Sequence, residues 1–588
     1  MKSRPRAILS LAALATGLIA FYLLRYPVRG FRVPMGPDSP VYMWWANLAK
    51  IVGLSVANWR PGMPALTLTV GGTLGLSQLE VIAGLGAAFA AAIGLGSAAL
   101  LRGPDRPLWT SILAGALAGA FAVHLAGGYF GNIVFAAIFL AALVLLSTEQ
   151  GEATSVVAVV LLLGAGGLTH PLFLLIGIIV LLCAVPFLPS GRRRVVWLSA
   201  AGGAAVTGVG MATMLLGQAP LRVDTSADSF FRRAGFAAEL KGELFDRLGH
   251  HWVRYVPIVL LPLAWFGRKI AASTQRAFLA SWAWVCLGGL AASFVVQTIP
   301  GVRMIAFAYA LPILAGLGLW RLAGQLPNRK VAALVTAVLA FAMLWGAALT
   351  WFRERPYTNS ETVQQIRSAG VVADGLPPGT PLIFVVDEPS EDLVAFRVTN
   401  AGNLIRAYMP AERIADVRVY VGRIDNFLAD EPTLDGSPKH DALSTTYLDD
   451  LHSSGVTAQR ETGHVFVLDA FNPPGAELPI DAIAGADLPS PWSIVVSGVL
   501  VFALLWTVGF GWARAVTRDN IIATALAPAL GAAALILVGV VADRIGLRLS
   551  GPTPLAVTAL AGLGGFVFAW RNRLEGDPAT DPPSQVDQ

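Results

Sequence analysis

The sequence predicts an all-α polytopic membrane protein with about fourteen transmembrane helices and one extracytoplasmic α/β soluble domain. Three observations lead to this prediction. Of the 588 residues, 55% are hydrophobic and only 13% are charged, whereas soluble proteins carry about 25% charged residues. Apolar stretches of about twenty residues, the length of a membrane-crossing helix, recur along almost the whole chain. Only between residues 352 and 490 do short apolar runs alternate with polar segments.

Four parts follow from this pattern. Residues 1–351 form a transmembrane core, in which residues 25–78 are the first outer loop. Residues 352–490 form the α/β domain, residues 491–571 return to the membrane, and residues 572–588 are a disordered cytoplasmic tail. A basic start precedes the first apolar run, and no small-residue cleavage site follows it, so we expect an uncleaved first span.

Short basic loops give the topology, because such loops lie in the cytoplasm. Seven of them fall on one side only if the segment 62–78 does not cross the membrane but lies along its outer surface. Both termini are then cytoplasmic, and the soluble domain faces outward from a plasma or inner membrane. The basic loops are MKSRPR at the start, RGPDRP from 102, SGRRR from 190, GRK from 267, PNRK from 327, RAVTR from 514 and WRNR from 570.

The net charge of +5 hides an asymmetry between the parts. Residues 352–490 hold about 10 of the 42 basic and 21 of the 37 acidic side chains. The membrane part is therefore strongly basic, which suits anionic lipid head groups. It has no basic-aromatic surface stretch that would indicate nucleic acid. Cys183 and Cys286 lie inside apolar runs, so neither a disulfide framework nor a cysteine metal site is expected.

Three short apolar runs in the soluble domain predict buried strands. They are PLIFVVD (381–387), VRVYVG (417–422) and HVFVLDAF (464–471). Helical segments lie between and before them, which favours a small parallel α/β domain. No glycine-rich phosphate loop follows any strand, so a lid or recognition domain is favoured over a nucleotide site.

Asp38 stands in the first outer loop, in the sequence GPDSPVYMWW. The aromatic residues around it, Tyr42 among them, are typical of a membrane–water boundary. A carboxylate at the edge of a low-dielectric region is a usable general base. Asp38 or Ser39 also precedes Pro40, a pattern typical of a helix cap. Both interpretations stay open.

Three basic side chains are candidates for binding an anion. Arg60 lies in the stiff turn NWRPGMPAL, His170 lies in the turn GLTHPLFLL, and Arg303 is the only charged residue between Arg276 and Arg321. A guanidinium can hold a phosphate by paired hydrogen bonds, and an isolated charge at a span end is costly enough to suggest a function. The alternatives are interfacial anchoring and snorkelling for the arginines and a carbonyl-bonded histidine for His170.

The outer loop 217–253 predicts an amphipathic helix, and its Asp224 and Asp228 could line a site. Its adjacent His250 and His251 point to different faces of a helix and are a poor metal pair. No HExxH, DxD or paired-cysteine motif occurs in the outer loops.

Over residues 1–350 the arrangement resembles the GT-C fold of polyprenyl-phosphate-sugar-dependent membrane glycosyltransferases, such as the protein O-mannosyltransferases and the aminoarabinose transferase of lipid A. The matching features are an acid in the first loop, Asp38, and a basic-proline turn into a surface helix, RPGMPAL (60–66). The turn GLTHPLFLL and the span VRMIAFAYALPILAGL (302–317), with Arg303, Tyr309 and Pro312, match more loosely. Two departures stand out. Asp38 has no acidic neighbour, and His170 stands where the family commonly has lysine.

The resemblance implies an inverting transfer of a sugar from an isoprenoid phosphate to a hydroxyl of a glycan, lipid or protein acceptor. Asp38 would be the base, and Arg60, His170 and Arg303 would bind the donor phosphate. Tyr42, Tyr129, Asp224, Asp228 and Tyr309 would line the site. No cofactor is required, and a divalent cation stays an open alternative. A transporter or an envelope scaffold are the alternatives from other classes, although the span interiors hold almost no charges.

Overall fold

The computed structural model describes most of the chain. The described residues are 3–36, 39–57, 60–103, 106–126, 128–148, 152–215, 260–293, 301–353, 356, 360–380, 382–387, 402–422, 464–468 and 488–575. The predicted amphipathic helix in 217–253, Asp224 and Asp228, and Asp38 lie outside these residues.

Twenty helices are bounded within the described residues. The first eleven are α1 (Ser3–Leu23), α2 (Arg25–Arg29), α3 (Ser39–Val52), α4 (Gly62–Leu74), α5 (Gln78–Leu100), α6 (Leu108–Phe121), α7 (Val123–Ala126), α8 (Phe130–Ser147), α9 (Glu152–Thr169), α10 (Pro171–Ala184) and α11 (Ser190–Leu215). The others are α12 (Leu261–Arg268), α13 (Ser273–Ser293), α14 (Gly301–Ala306), α15 (Ala310–Gln325), α16 (Arg329–Arg353), α17 (Ser360–Asp374), α18 (Pro491–Val516), α19 (Asn520–Arg544) and α20 (Thr553–Glu575). Short 3-10 helices cover Leu54–Ala57, Val185–Phe187 and Ala411–Asp416.

Nine helices in the described ranges are long and apolar enough to cross a bilayer. Three of them are α1 with α2 as Pro5–Arg29, α6 with α7 as Leu108–Ala126, and α16 as Arg329–Phe352, and the other six are α5, α8, α11, α18, α19 and α20. The protein is therefore an integral membrane protein with many helices, as the composition predicts. The total of fourteen spans stays a prediction, as does the orientation of the termini.

Helix α5 lies at the centre of the bundle, where it contacts α1, α6, α8 and α18. The apolar stretch of this helix that could cross a bilayer is completely buried inside the protein. Glycines allow neighbouring helices to approach closely: a Cβ on Gly531 of α19 would collide with the Leu505 carbonyl of α18. Small residues at such crossings are the usual basis of helix packing in membranes.

A valine at Gly531 should therefore destabilise the bundle. Overpacking a close contact typically costs about 1–3 kcal/mol, so we expect Gly531→Val to lower the unfolding temperature of the purified protein in detergent. Gly562→Val on α20 is the matched control, since a Cβ at Gly562 meets no atom within 4 Å. Equal unfolding temperatures for the two variants would contradict this crossing.

Several basic loops meet at one end of the bundle. Arg102 forms an ion pair with Asp519, and Arg106 Nη1 donates to Gln275 Oε1 over 2.9 Å. The loops predicted to be cytoplasmic after 102, 267 and 514 are thus neighbours. Which side of a membrane this end faces stays a prediction.

Three strands form one parallel sheet in the order β2–β1–β3: β1 (Leu382–Asp387), β2 (Val417–Gly422) and β3 (His464–Leu468). Leu382 pairs with Val417 on one side and with His464 on the other. The strands lie within the three predicted apolar runs, and α17 matches the predicted helix before them. The extent of the domain, 352–490, and its outward orientation stay predictions.

The region of the sheet contacts the first loop of the membrane core. Trp44 of α3 donates its Nε1–H to Asn403 Oδ1 over 3.0 Å, and Asn47 Nδ2 donates to the Met409 carbonyl over 2.6 Å. Helix α3 therefore lies between the bundle and residues 402–416.

Helix α4 lies in the segment that we expect to run along the outer membrane surface, and other helices of the protein bury it. Its 13 residues are about 20 Å long at 1.5 Å per residue, shorter than the roughly 30 Å of bilayer hydrocarbon. Gly62 to Gly71 are all buried, packed against α19 and α20. Helices more than 400 residues later thus cover this weakly polar segment, and its position relative to the membrane surface stays a prediction.

Candidate functional site

Tyr42 is the centre of a polar cluster at one end of the bundle. It lies on α3, is 1% exposed, and packs its ring against Phe130 and Trp45. Its hydroxyl oxygen accepts hydrogen bonds from Arg60 Nη1 over 3.1 Å and from the Gly131 amide over 3.3 Å. The first outer loop is thereby joined to the start of α8.

Arg60 is held by the turn that connects α3 to α4. Its amide donates to the Ala57 carbonyl at the end of a 3-10 helix, and its carbonyl accepts from the Met63 amide. Pro61 follows and fixes its own φ near −62° before α4 begins. The stiff turn predicted from the prolines thus positions the guanidinium beside Tyr42.

The start of α8 contributes a second arginine contact. Tyr129 is the residue before this helix, and Arg303 Cζ lies 5.0 Å from the centroid of its ring. The first amides of an 18-residue helix carry partial positive charge. Arg303 and the Gly131 amide therefore add positive potential to the same region as Arg60.

His170 lies between α9 and α10 and is 2% exposed. Its Nδ1 accepts a hydrogen bond from the Phe173 amide over 3.4 Å, which caps α10. Because a neutral imidazole carries one proton, that proton lies on Nε2. Within the part of the chain that the structure describes, Nε2 has no hydrogen-bond partner. One nitrogen of His170 therefore caps α10 by accepting from an amide, and the other is a buried donor that bonds to no described carbonyl.

Charges from both arginines reach His170. Burial lowers the pKa of His170 well below its usual 6.5, and the positive charges of Arg60 and then Arg303 lower this pKa further. The imidazole is accordingly a neutral donor at physiological pH. Three basic residues that the sequence singled out, from turns 110 and 133 positions apart, are brought together electrostatically.

The lowered pKa predicts how stability depends on pH. Below about pH 6.5 the histidine of the unfolded chain binds a proton that His170 in the folded chain does not. The unfolded state then holds more protons, so stability falls as pH falls through this window, by up to about 1.4 kcal/mol per pH unit. Unfolding temperatures from pH 7 to 5 should decline more steeply for the wild type than for His170→Gln. Parallel declines would contradict a buried neutral imidazole.

Gly131 makes the close approach in this cluster feasible. A Cβ there would lie 3.0 Å from the Thr169 carbonyl oxygen, 3.2 Å from Tyr42 Oη and 3.5 Å from His170 Cδ2. Sequence reasoning placed the stretch around Gly131 on the outer face but did not single out this residue.

Asp543 is a functional-site neighbour that sequence reasoning missed. It is buried at the end of α19, pairs with Arg544 and Arg548, and accepts a hydrogen bond from the Leu54 amide over 3.2 Å. The chain from Leu54 leads within six residues to Arg60, so this ion cluster anchors the turn on which Arg60 stands. A carboxylate at the end of an apolar span, in GVVADRIG, was the signal that could have indicated it.

Gly53 packs directly on this cluster with φ +87°, and a Cβ there would lie 2.8 Å from Asp543 Oδ1 and collide with Arg548 Nη1. Gly53→Ala should therefore lower both unfolding temperature and substrate binding. Gly75→Ala is the matched control, because Gly75 has φ +66° but meets nothing within 4 Å. Gly75→Ala therefore introduces a backbone strain of about 1–2 kcal/mol, as Gly53→Ala does, but no collision with a neighbouring side chain. Equal effects of both variants would contradict the anchoring role of Asp543.

Tyr309 lies apart from the polar cluster. Its ring is buried among Phe121, Trp282 and Phe307, with centroid distances of 5.3, 6.2 and 6.5 Å. Phe307 leads on to Phe173, whose ring lies 4.7 Å from that of His170. The lining role of Tyr309 therefore stays a prediction, and its ring belongs to an aromatic cluster that reaches His170 through Phe307 and Phe173.

The predicted base and both loop aspartates belong to the parts of the chain that are not described. Just after Asp38, the Ser39 hydroxyl donates a hydrogen bond to the Met35 carbonyl. Among the described residues, no three His, Cys, Asp or Glu side chains gather as metal ligands. A divalent cation stays an open alternative.

Comparison with known proteins gives matches to solved structures only. No family model and no curated protein matches the chain. The Archaeoglobus fulgidus oligosaccharyltransferase is similar in its apo form, with 12% identity, TM-score 0.43, 69% of this chain and 64% of that one covered. The same enzyme in complex with Zn and sulfate is 14% identical, with a TM-score of 0.46, and the match covers 70% of this chain and 62% of that one. The chain thus spans less than two thirds of that protein. ArnT from Cupriavidus metallidurans bound to undecaprenyl phosphate is 15% identical, with a TM-score of 0.44, and the match covers 72% of this chain and 94% of that one.

Proposed function

We propose that the protein is an integral membrane glycosyltransferase of the GT-C type. It moves a sugar from a polyprenyl phosphate to a hydroxyl of a cell-envelope acceptor on the outer face and inverts the anomeric configuration. The observation that supports this proposal best is the convergence of Arg60, His170 and Arg303 around Tyr42 and the start of α8. Two guanidinium groups and several buried donors in one place match an anionic head group.

The donor phosphate binds among these groups. As a sugar diester it carries one negative charge, and as the departing monoester it carries close to two. Fixed donors aimed at this growing charge stabilise the transition state more than the ground state. Arg60 is held rigidly through Tyr42 and the prolines, so little reorganisation accompanies the reaction.

The transfer itself forms one bond and breaks one bond. The acceptor oxygen attacks the anomeric carbon, and the bond from that carbon to the phosphate oxygen breaks with its electron pair on the phosphate. Asp38 takes the proton of the acceptor hydroxyl. Helix α3, which begins directly after Asp38, is fixed by Tyr42 on the bundle side and by Asn403 and Met409 on the side of the sheet. An acceptor would enter between these two sides.

A transfer assay with the purified full-length protein tests the proposal. The protein is incubated with a panel of polyprenyl-phosphate sugars and a cell-envelope acceptor extract, and released polyprenyl phosphate is quantified. We expect release with at least one donor sugar, dependent on the acceptor. Folded protein that releases no polyprenyl phosphate from any donor would refute the proposal.

A further inference from the structure

The hydroxyl of Tyr42 has its acceptor capacity filled but not its donor capacity. Arg60 Nη1 and the Gly131 amide can only donate hydrogen bonds, so the Tyr42 oxygen is the acceptor in both contacts. Its own proton takes part in neither. Among the described residues no atom accepts that proton. The side chain is 1% exposed, so bulk water does not take the role either.

A second donor in the same state lies beside it. His170 Nε2–H is buried and has no partner among the described residues, and Nε2 is bonded to the Cδ2 that faces Gly131. Both groups pack on Gly131: a Cβ there would lie 3.2 Å from Tyr42 Oη and 3.5 Å from His170 Cδ2. A buried donor without an acceptor costs about 1–3 kcal/mol. Two such donors beside Gly131 indicate that this part of the protein binds an acceptor-rich ligand.

The surrounding charge indicates what this ligand is. Arg60 contacts Tyr42 directly, and the charge of Arg303 acts on His170. A ligand whose oxygens carry negative charge and accept several hydrogen bonds would satisfy all four groups, which are Tyr42, His170, Arg60 and Arg303. Since Arg60 withdraws electron density from the phenol oxygen, the Tyr42 proton becomes a stronger donor.

We infer that Tyr42 contacts the substrate directly, donating its hydroxyl hydrogen bond to a phosphate oxygen of the isoprenyl phosphate next to the bond from His170 Nε2–H. This inference rests on the proposed function and adds a ligand-contacting residue to it. The hydroxyl, not the ring, is the functional group, because phenylalanine would retain the packing against Phe130 and Trp45.

Binding of a short-chain isoprenyl phosphate to the purified full-length protein in detergent tests the inference by isothermal titration calorimetry. We expect Tyr42→Phe to weaken binding about tenfold, since a hydrogen bond to a charged group is lost. Its unfolding temperature is measured in parallel, because the variant also removes the acceptor of the Arg60 and Gly131 donors. Tyr22→Phe is the matched control. Tyr22 is equally buried, but its hydroxyl donates to the Gly119 carbonyl over 2.8 Å, so its loss should not alter binding.

A double-mutant cycle separates contact from positioning. If Tyr42 contacts the phosphate itself, Tyr42→Phe still weakens binding in the Arg60→Gln background. If it has no effect there, the hydroxyl only orients Arg60, and the inference is overturned. If the wild type and Tyr42→Phe bind isoprenyl phosphate with equal affinity, the inference is overturned and the proposed function stands. A wild-type protein that does not bind isoprenyl phosphate would overturn the proposed function together with it.

Discussion

Replacing Asp38 by asparagine should lower kcat by roughly 10²–10⁴-fold, the usual contribution of a general base. The amide has the shape of the carboxylate but cannot take the proton of the acceptor hydroxyl. Binding of an isoprenyl phosphate should stay unchanged, because the proposed base acts on the acceptor hydroxyl and not on the phosphate. Turnover with a saturating lipid-linked donor and the dissociation constant of the isoprenyl phosphate are the two measurements.

The same variant distinguishes a base from a helix cap. Asparagine caps helices about as well as aspartate, so a purely capping Asp38 would leave both stability and turnover near their wild-type values in Asp38→Asn. Asp38→Ala should lose the cap as well, which lowers stability by about 0.5–2 kcal/mol. Wild-type turnover in Asp38→Asn would eliminate the general-base role.

Arg303→Gln is the second variant with a large expected effect. Removing one fixed positive group from a developing oxyanion typically costs about 10²–10³-fold in rate, and we expect a loss of this size in kcat/KM for the donor. Arg303→Lys should recover part of it, because lysine restores the charge without the planar fork of donors. Glutamine also removes the contact with the Tyr129 ring, so unfolding temperatures must be compared in parallel.

Arg321→Gln is the matched control for Arg303→Gln. Arg321 lies in the C-terminal part of α15, where its Nη1 donates to the Phe266 carbonyl over 3.4 Å. It follows Arg303 on the same segment of chain but lies toward the loop PNRK from 327, which is predicted to face the cytoplasm. Activity should survive in Arg321→Gln, and a loss equal to that of Arg303→Gln would point to a general effect of charge on this segment.

Local patterns predict local structure well in this chain. Helix α5, Gln78–Leu100, is one of the apolar stretches of about twenty residues, and the three apolar runs predicted as strands contain the three observed strands. Length and hydropathy suffice for such elements, because each depends on its own residues. The buried position of α4 was not predictable in this way, since α19 and α20 cover it from the far end of the chain.

In the candidate site, too, single residues can be recognised from the local sequence, but the contacts between them cannot. Arg60, His170 and Arg303 were singled out because each is an unusual charge or polar group near a span end. Their connection through Tyr42 and Gly131 joins residues 89 positions apart, and no sequence pattern encodes that distance. Asp543 was missed for a related reason: its partners at Leu54 and the arginines of its own segment become neighbours only in the folded chain.

An experimental structure of the full chain with a bound isoprenyl phosphate is the most direct measurement. The phosphorus should lie within hydrogen-bonding reach of Arg60, Tyr42, His170 and Arg303, and the Asp38 carboxylate should face the cavity beside it. A phosphate bound elsewhere, or an Asp38 directed away from that cavity, would contradict the proposed site.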